Sequence, residues 1–512
     1  MNRTHEQPGF APIPTQPAGK ITTGIRGLDT VLNGGLTPNR LYLVEGIPGS
    51  GKTTLALQFL SAGRAAGERC LYITFSETTE ELTAVVESHG LTLDGIDVFE
   101  LTSMQATLDA TSETTLLHPW EQELGDLVKL ITDQIERVLP TRVVFDSLSE
   151  MRLLAQVPLR YRRQILALKQ YFAGRNATVL LLDDLTAAGG PHDLQLHSLC
   201  HGVITLERLT LDFGGARRRL QVQKMRGTDF RAGFHDMVIA HGGLDVFPRL
   251  IAAEHHKPFP GDPVVSGLPE LDALLGGGPL RGTCTLVSGP PGVGKTTLAL
   301  QYVAAACARG ECCVLYEFDE RIGTLLARAA KQGMHLQSFI DSGKLLLHQV
   351  DPAEISPGEF AERLRREVEG EGVRLVVIDS LSGYESAMPQ EKQLLLQMHE
   401  MLSYLNQQGV ATLLINAQQG LIGAGISNVN ISYIADTVLL LRFFEAEGRV
   451  RKALAVVKNR GGPHEDAIRE LRIDHSGLRV GEPLVQFHGL LTGTPIYSGQ
   501  PAPFLNERAR GA

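Results

Sequence analysis

The chain reads as two tandem α/β domains of the P-loop NTPase class, each a parallel central sheet wound with helices and carrying a C-terminal antiparallel hairpin. Three observations predict this. The chain repeats itself: TGIRGLDTVLNGGL (23–36) returns as SGLPELDALLGGGPL (266–280), GIPGSGKTTLALQ (46–58) as GPPGVGKTTLALQ (289–301), and RVVFDSLS (142–149) as RLVVIDSLS (374–382). KMRG (224–227) returns as KNRG (458–461), so four matches keep one order at nearly constant offset. Within each copy, nearly unbroken Val/Ile/Leu runs (VVFD, VVID, TVLLLDD, TLLIN) read as strands buried on both faces of a parallel sheet. Finally, an apolar strand in each copy (LYLVEG; CTLVSG) enters a Gly-rich turn and opens a helix.

Residues 1–19, Pro-rich and polar, read as a disordered leader. The first domain spans 20–247: its P-loop helix stops at Gly67, a strand ends in an acid (CLYITFSE), and the copy closes with VITLERLTLDFGGARRRLQVQKMRG. A Pro- and His-rich stretch, 248–262, reads as a linker. The second domain, 263–482, follows the same order, with CCVLYEFDE after a helix ending at Gly310 and DTVLLLRFFEAEGRVRKALAVVKNRG at its end. Residues 483–512 read as a tail. Across 512 residues, 43% hydrophobic and 21% charged content suits ordinary globular protein and excludes wholesale disorder and a small disulfide scaffold. No apolar run reaches the roughly 20 residues of a bilayer span. Six cysteines without a CxxC pattern suit free thiols in a reduced compartment, which predicts a cytoplasmic protein.

GxxxxGK[ST] occurs twice, as Gly46, Gly51, Lys52, Thr53 and as Gly289, Gly294, Lys295, Thr296. The glycines let backbone N–H groups curl around phosphate, the lysine neutralises β/γ oxygens, and the threonine hydroxyl suits Mg²⁺. Asp146 and Asp379 end the four-apolar-plus-Asp strands as Walker B acids. Hydrolysis also needs a carboxylate beside the γ-phosphate. Glu77, and Asp319 with Glu320, end the strand after the P-loop helix and are the candidates, their alternative being helix N-terminal acids that suit the dipole. Lys224/Arg226 and Lys458/Arg460 are either solvated strand ends or arginine-finger-type groups inserted across a subunit interface. Asp183, Asp184 and Asn416 stand at the next strand end, where a γ-phosphate would be sensed.

Together TGIRGLD…GGL, both P-loops, TFSET, RVVFDSLS, KMRGT, IDSLS, NISYIADT and KNRG…AIREL resemble the KaiC family of two-domain RecA-like clock ATPases and autokinases, over about residues 20–495. The resemblance implies a homohexamer of two stacked rings with ATP and Mg²⁺ between neighbouring subunits. It implies a slow ATPase in the N-terminal ring, an autokinase in the C-terminal ring, and a KaiB-like partner on the N-terminal ring. Nucleotide contacts would come from Gly46, Gly49, Ser50, Gly51, Lys52, Thr53 and Thr54 with Ser88, Lys224, Met225, Arg226 and Thr228. Their C-terminal counterparts would be Gly289, Gly292, Val293, Gly294, Lys295, Thr296 and Thr297 with Lys452, Lys458, Asn459 and Arg460. Thr53, Thr296 and Asp319 would serve the metal.

Departures modify that expectation. The family's paired glutamates match Ser76 and Glu77 in one copy, and Asp319 and Glu320 in the other. Its Ser-Thr phosphosite matches Ser432 followed by Tyr433, which predicts a single-site cycle on Ser432. An adenine-side tryptophan becomes Gln332, a nearby arginine becomes Lys452, and the short C-terminus argues against a KaiA-like activator. Two other functions are compatible with the P-loops: a DNA-dependent RecA-type ATPase and a nucleotide-gated scaffold with little turnover. A net charge of −9, one Trp and a single dense basic run, ARRR (216–219), argue against nucleic acid.

Overall fold

The computed structural model describes residues 19–101, 119–155, 157–185, 193–210, 214–351, 353–386, 394–417, 434–490 and 496–497. Ser432 and Tyr433, most of the tail and the leader before residue 19 lie outside the described residues. The chain divides into two compact units, Met1–Arg249 and Leu250–Ala512.

Each unit is built on one nine-stranded sheet. In the first, β1 (Leu41–Gly46), β2 (Cys70–Thr74), β3 (Ile96–Glu100), β4 (Arg142–Asp146), β5 (Thr178–Asp184) and β6 (Gly202–Leu209) are parallel, in the order β3-β2-β4-β5-β1-β6. Then β7 (Arg217–Met225), β8 (Phe234–Ala240) and β9 (Gly243–Phe247) extend the sheet antiparallel. The second unit repeats this with β10 (Cys284–Gly289), β11 (Cys312–Glu317), β12 (Leu345–Gln349), β13 (Val373–Asp379), β14 (Ala411–Ala417), β15 (Thr437–Ala446), β16 (Arg449–Asn459), β17 (Arg469–Asp474) and β18 (Gly477–Pro483). These are two tandem RecA-like α/β domains.

Burial on both faces explains the apolar strands. Along β1, Tyr42 and Val44 pack with the P-loop helix residues Leu55, Leu57, Phe59 and Leu60, whereas Leu41 and Leu43 pack with Ile131, Ile165 and Leu168 on the other side. The period of two thus feeds two separate cores.

Two features exceed the sequence reading. The terminal hairpin of each copy is followed by a second one, β8–β9 and β17–β18, which folds over the P-loop helix: a Cβ on Gly51 would sit 2.9 Å from Ile239 Cδ1, and one on Gly294 2.2 Å from Ile473 Cδ1. The segment read as a linker is docked on the second unit rather than loose. Ala252 is buried in a core with Met401 and Leu405, the Lys257 N–H donates to Gln407 O at 3.1 Å, and Phe259 packs under Gly282 and Gly409. No helix among the described residues is long and apolar enough to cross a membrane.

Candidate active sites

Both P-loops sit at the carboxyl end of the central strand, where such sheets place ligands. Gly51 and Gly294 take φ of +109° and +114°, a conformation that L side chains rarely adopt, immediately before the helices Lys52–Ala65 and Lys295–Ala308. Gly46 and Gly289 are needed for close approach, since a Cβ there would lie 2.5 Å from Leu206 O and from Leu441 O. Gly49 and Gly292 also have positive φ. Ser50 and Val293 are wholly buried, and Thr54 and Thr297 nearly so, facing the core side of the helix.

In the first unit Lys52 Nζ donates to Gly46 O at 2.8 Å and Ile47 O at 3.2 Å and pairs with Asp184 Oδ1 at 2.7 Å. Thr53 Oγ1 donates to Asp146 Oδ2 at 3.0 Å, and the Tyr72 hydroxyl donates to the same oxygen. Burial pushes the Asp146 carboxyl up, opposed by these two donors and Lys52. Glu77 follows β2, whose last residue, Thr74, pairs with Asp146, so Glu77 stands on the Walker B side of the site. Its Oε2 is buried with no hydrogen-bond partner among the described residues, and burial, then the Asp146 charge, raises its pKa. Ser76 is exposed beside it.

A second polar network flanks β1. Glu45 accepts from Thr205 Oγ1 at 2.8 Å and lies 2.8 Å from His197 Nε2. Asp183 pairs with Arg152, and Ser149 Oγ approaches Asp183 Oδ1 at 3.2 Å and Asp184 Oδ2 at 3.3 Å.

In the second unit Lys295 Nζ donates to Gly289 O and Pro290 O, both at 2.9 Å, and burial lowers its pKa. Thr296 Oγ1 donates to Asp379 Oδ2 at 2.5 Å. Burial pushes Asp379 up to about 6. Asp319 is exposed and accepts from Ser380 Oγ at 2.5 Å rather than from Thr296. Glu320 pairs with Arg328 at 2.5 Å. Gln332 Oε1 accepts from Thr297 Oγ1 at 3.2 Å, and Lys452 Nζ stands 6.0 Å over the Phe443 ring.

Sequence reasoning missed Glu317. Register pairs it with Asp379 as Thr74 pairs with Asp146. Its Oε1 accepts the Glu320 N–H at 2.9 Å, the role Thr74 Oγ1 plays for the Glu77 N–H at 2.9 Å. Only 2% exposed, with Oε2 unpartnered among the described residues, it is pushed up to about 8 by burial and the Asp379 charge. The available signal was an acid closing an apolar strand, CCVLYE.

The KxRG residues are not brought to their own P-loops. Met225 pairs with Gly202, which pairs with Tyr42, four residues back along β1 from Gly46, or about 13 Å at strand rise. Lys224 Nζ donates to Cys200 O at 2.9 Å and Arg226 Nη2 to Ser198 O at 2.8 Å, while Thr228 Oγ1 lies 3.2 Å from Thr37 Oγ1. Lys458, which donates to Ala435 O, and Asn459 pair with Val438 and Thr437, next to Leu286 and Thr285 at the same far end. The Arg460 N–H donates to Asp436 O at 2.9 Å, beyond that end. Ser88 closes the helix Thr79–Ser88, its hydroxyl on Val85 O at 2.7 Å.

Two RecA-like units, each with a P-loop lysine and a threonine–Walker B pair, define a nucleotide-binding P-loop ATPase. The sequence model of the KaiC ATPase family matches residues 21–251 and 264–485, and the chain belongs to that family. It is 29% identical over 491 residues to "Circadian clock protein KaiC3" of Synechocystis sp. (strain ATCC 27184 / PCC 6803 / Kazusa), covering 94% of this chain and 95% of that one. It is 27% identical to "Circadian clock oscillator protein KaiC" of Synechococcus elongatus (strain ATCC 33912 / PCC 7942 / FACHB-805), covering 94% and 92%. To the protein of that name from Parathermosynechococcus lividus it is 27% identical, covering 93% and 88%.

Proposed function

We propose that the protein is a homohexamer that hydrolyses ATP at its N-terminal unit, phosphorylates its own Ser432 at its C-terminal unit, and acts as a timing or signalling switch. The observation that carries the ring is the separation within each sheet: Lys224/Arg226 and Lys458/Arg460 lie at the end remote from their own P-loops. There they serve a nucleotide bound to the neighbouring subunit, stabilising charge on the transferring phosphoryl group.

In the N-terminal unit Glu77, held as a half-buried carboxylate of raised pKa, orients and deprotonates the attacking water. In the C-terminal unit Asp319 accepts the hydroxyl proton of Ser432, with Glu320 beside it. The hard oxygen donors Thr53 with Asp146, and Thr296 with Asp379, already within hydrogen-bond distance of each other, fit Mg²⁺. Bound there, the ion would neutralise phosphate charge. The relatives' names carry a circadian role, and we extend timing to this chain as a proposal, with a KaiB-like partner on the N-terminal ring.

Size measurement with and without ATP tests the assembly; a monomer hydrolysing ATP at full rate overturns it. Peptide mass spectrometry after incubation with ATP and Mg²⁺ tests the kinase. Phosphate on Ser432 that disappears in Lys295→Ala and Asp319→Asn supports it, and an unmodified peptide leaves only an ATPase.

A further inference from the structure

Among the described residues, the lysine of one P-loop is saturated and that of the other is not. An ammonium group has three N–H donors and no acceptor. Lys52 spends all three within its own unit: on Gly46 O, on Ile47 O and, at 2.7 Å, on the carboxylate of Asp184. Lys295 makes the two matching carbonyl bonds, to Gly289 O and Pro290 O, and its third donor meets no acceptor among the described residues. The difference traces to one position. Asp184 pairs with Gly46 in the register of β1 and β5; Ala417 pairs with Gly289 in that of β10 and β14. The equivalence is secured a second way, because the Asp184 N–H donates to Ser149 Oγ and the Ala417 N–H to Ser382 Oγ, each at 3.2 Å.

A P-loop lysine uses its free donor on the β/γ oxygens of the nucleotide. In the N-terminal unit that donor is held by an anion, so a γ-phosphate must displace the Asp184 carboxylate and then tolerate its charge nearby. A diphosphate leaves the γ position empty, so Lys52 can keep Asp184 and turn one of the two donors now on Gly46 O and Ile47 O to the β-phosphate. We propose that Asp184 is a specificity-determining residue that stands in for the γ-phosphate on Lys52, biasing the N-terminal site toward ADP over ATP relative to the C-terminal site. Ser149, whose hydroxyl already lies 3.3 Å from Asp184 Oδ2, receives the displaced carboxylate when triphosphate binds. When phosphate leaves after hydrolysis, Asp184 returns to Lys52 and opposes its rebinding.

The inference rests on nucleotide binding at the N-terminal P-loop, and the test separates the two. Full-length chain carrying Lys295→Ala is titrated with fluorescent ADP and with a fluorescent non-hydrolysable ATP analogue in Mg²⁺. Asp184→Ala is expected to raise triphosphate affinity relative to ADP by about tenfold, the size of one charge-assisted hydrogen bond. Asp184→Asn, which keeps the shape and removes the charge, shifts the ratio the same way. The reciprocal Ala417→Asp, in a Lys52→Ala chain, shifts the C-terminal site toward ADP by a similar factor. If ADP binds but neither Asp184 variant nor Ala417→Asp moves the ratio, the inference is overturned. If the Lys295→Ala chain binds neither nucleotide, the nucleotide-site reading fails and takes the inference with it.

Discussion

Around the N-terminal P-loop the carboxylates come from β1 and β5: Glu45, Asp183 and Asp184, tied to His197, Arg152 and Lys52. The C-terminal unit has Ser288, Asn416 and Ala417 in those places, as the strand registers show, and gathers its acids on the other flank, as Glu317, Asp319 and Glu320 closing β11. The backbone frame is common to both, down to the threonine–Walker B contact. What has diverged is which side of the phosphate site carries negative charge. The base candidates differ accordingly. Glu77 has an oxygen unpartnered among the described residues and a raised pKa; Glu320 is held by Arg328, a position occupied by Val85 in the first copy. The first arrangement suits activation of water, and in the second Asp319 is exposed and accepts a hydrogen bond from Ser380 Oγ.

The sharpest way to break this comparison is Glu77→Gln in a Lys295→Ala chain. Phosphate release is expected to fall about 10²–10⁴-fold, the usual cost of a positioned base, whereas Glu320→Gln in a Lys52→Ala chain has the smaller effect. Equal losses would erase the functional distinction.

Next in size is pH. Glu77 must be ionised to act, and its pKa lies above the ordinary glutamate value, so N-terminal hydrolysis declines on acidification through a midpoint higher than about 4.5. A phosphate-release profile of the Lys295→Ala chain checks this.

Glu317 gives a stability effect of opposite pH sense. Its folded value, about 8, lies above its unfolded value of 4.5, so the folded state keeps a proton that the unfolded state has released. Stability therefore falls as pH rises between those values and is flat outside them. Glu317→Gln keeps the acceptor for the Glu320 N–H and removes the slope. In chelator and without nucleotide, denaturant titrations should show the variant more stable than the parent by a few kcal/mol near pH 8, with no gain near pH 4.

The smallest change expected is Arg328→Val, which installs the N-terminal residue. Its ion pair with Glu320 is half-exposed, so removing it should shift the Tm by no more than about 2–4 °C. A larger shift would show that Arg328 has a structural role Val85 does not share.

The parts legible in the sequence were those where a short motif carries the chemistry. GKTT after an apolar strand and before a helix, and VVFD or VVID, announce both phosphate sites without any tertiary information. The acids whose meaning depends on register were not legible. Glu317 is one letter in an apolar strand until pairing sets it opposite Asp379, and the Asp184–Lys52 pair requires knowing that β5 lies beside β1. The β8–β9 hairpin is marked in the sequence by alternating residues around Gly242 and Gly243, both at positive φ. The docked segment after Arg249 hid its apolar contacts, Leu250, Ala252 and Phe259, among prolines and histidines whose composition suggested a tether.

The distance along each sheet between P-loop and KxRG element has one further consequence. If every site borrows its cation from next door, a subunit alone is half a catalyst twice over, and an open chain of subunits always wastes one site at its end. Only a closed circle leaves none unfinished. Two chains, each inert at its N-terminal sites when alone, would then repair one another: one spoiled at Lys52, the other at Arg226. Mixed in equal amounts and allowed to exchange, they would reconstitute about a quarter of the N-terminal sites, wherever an intact pocket meets an intact donor. Turnover would count neighbours as well as molecules.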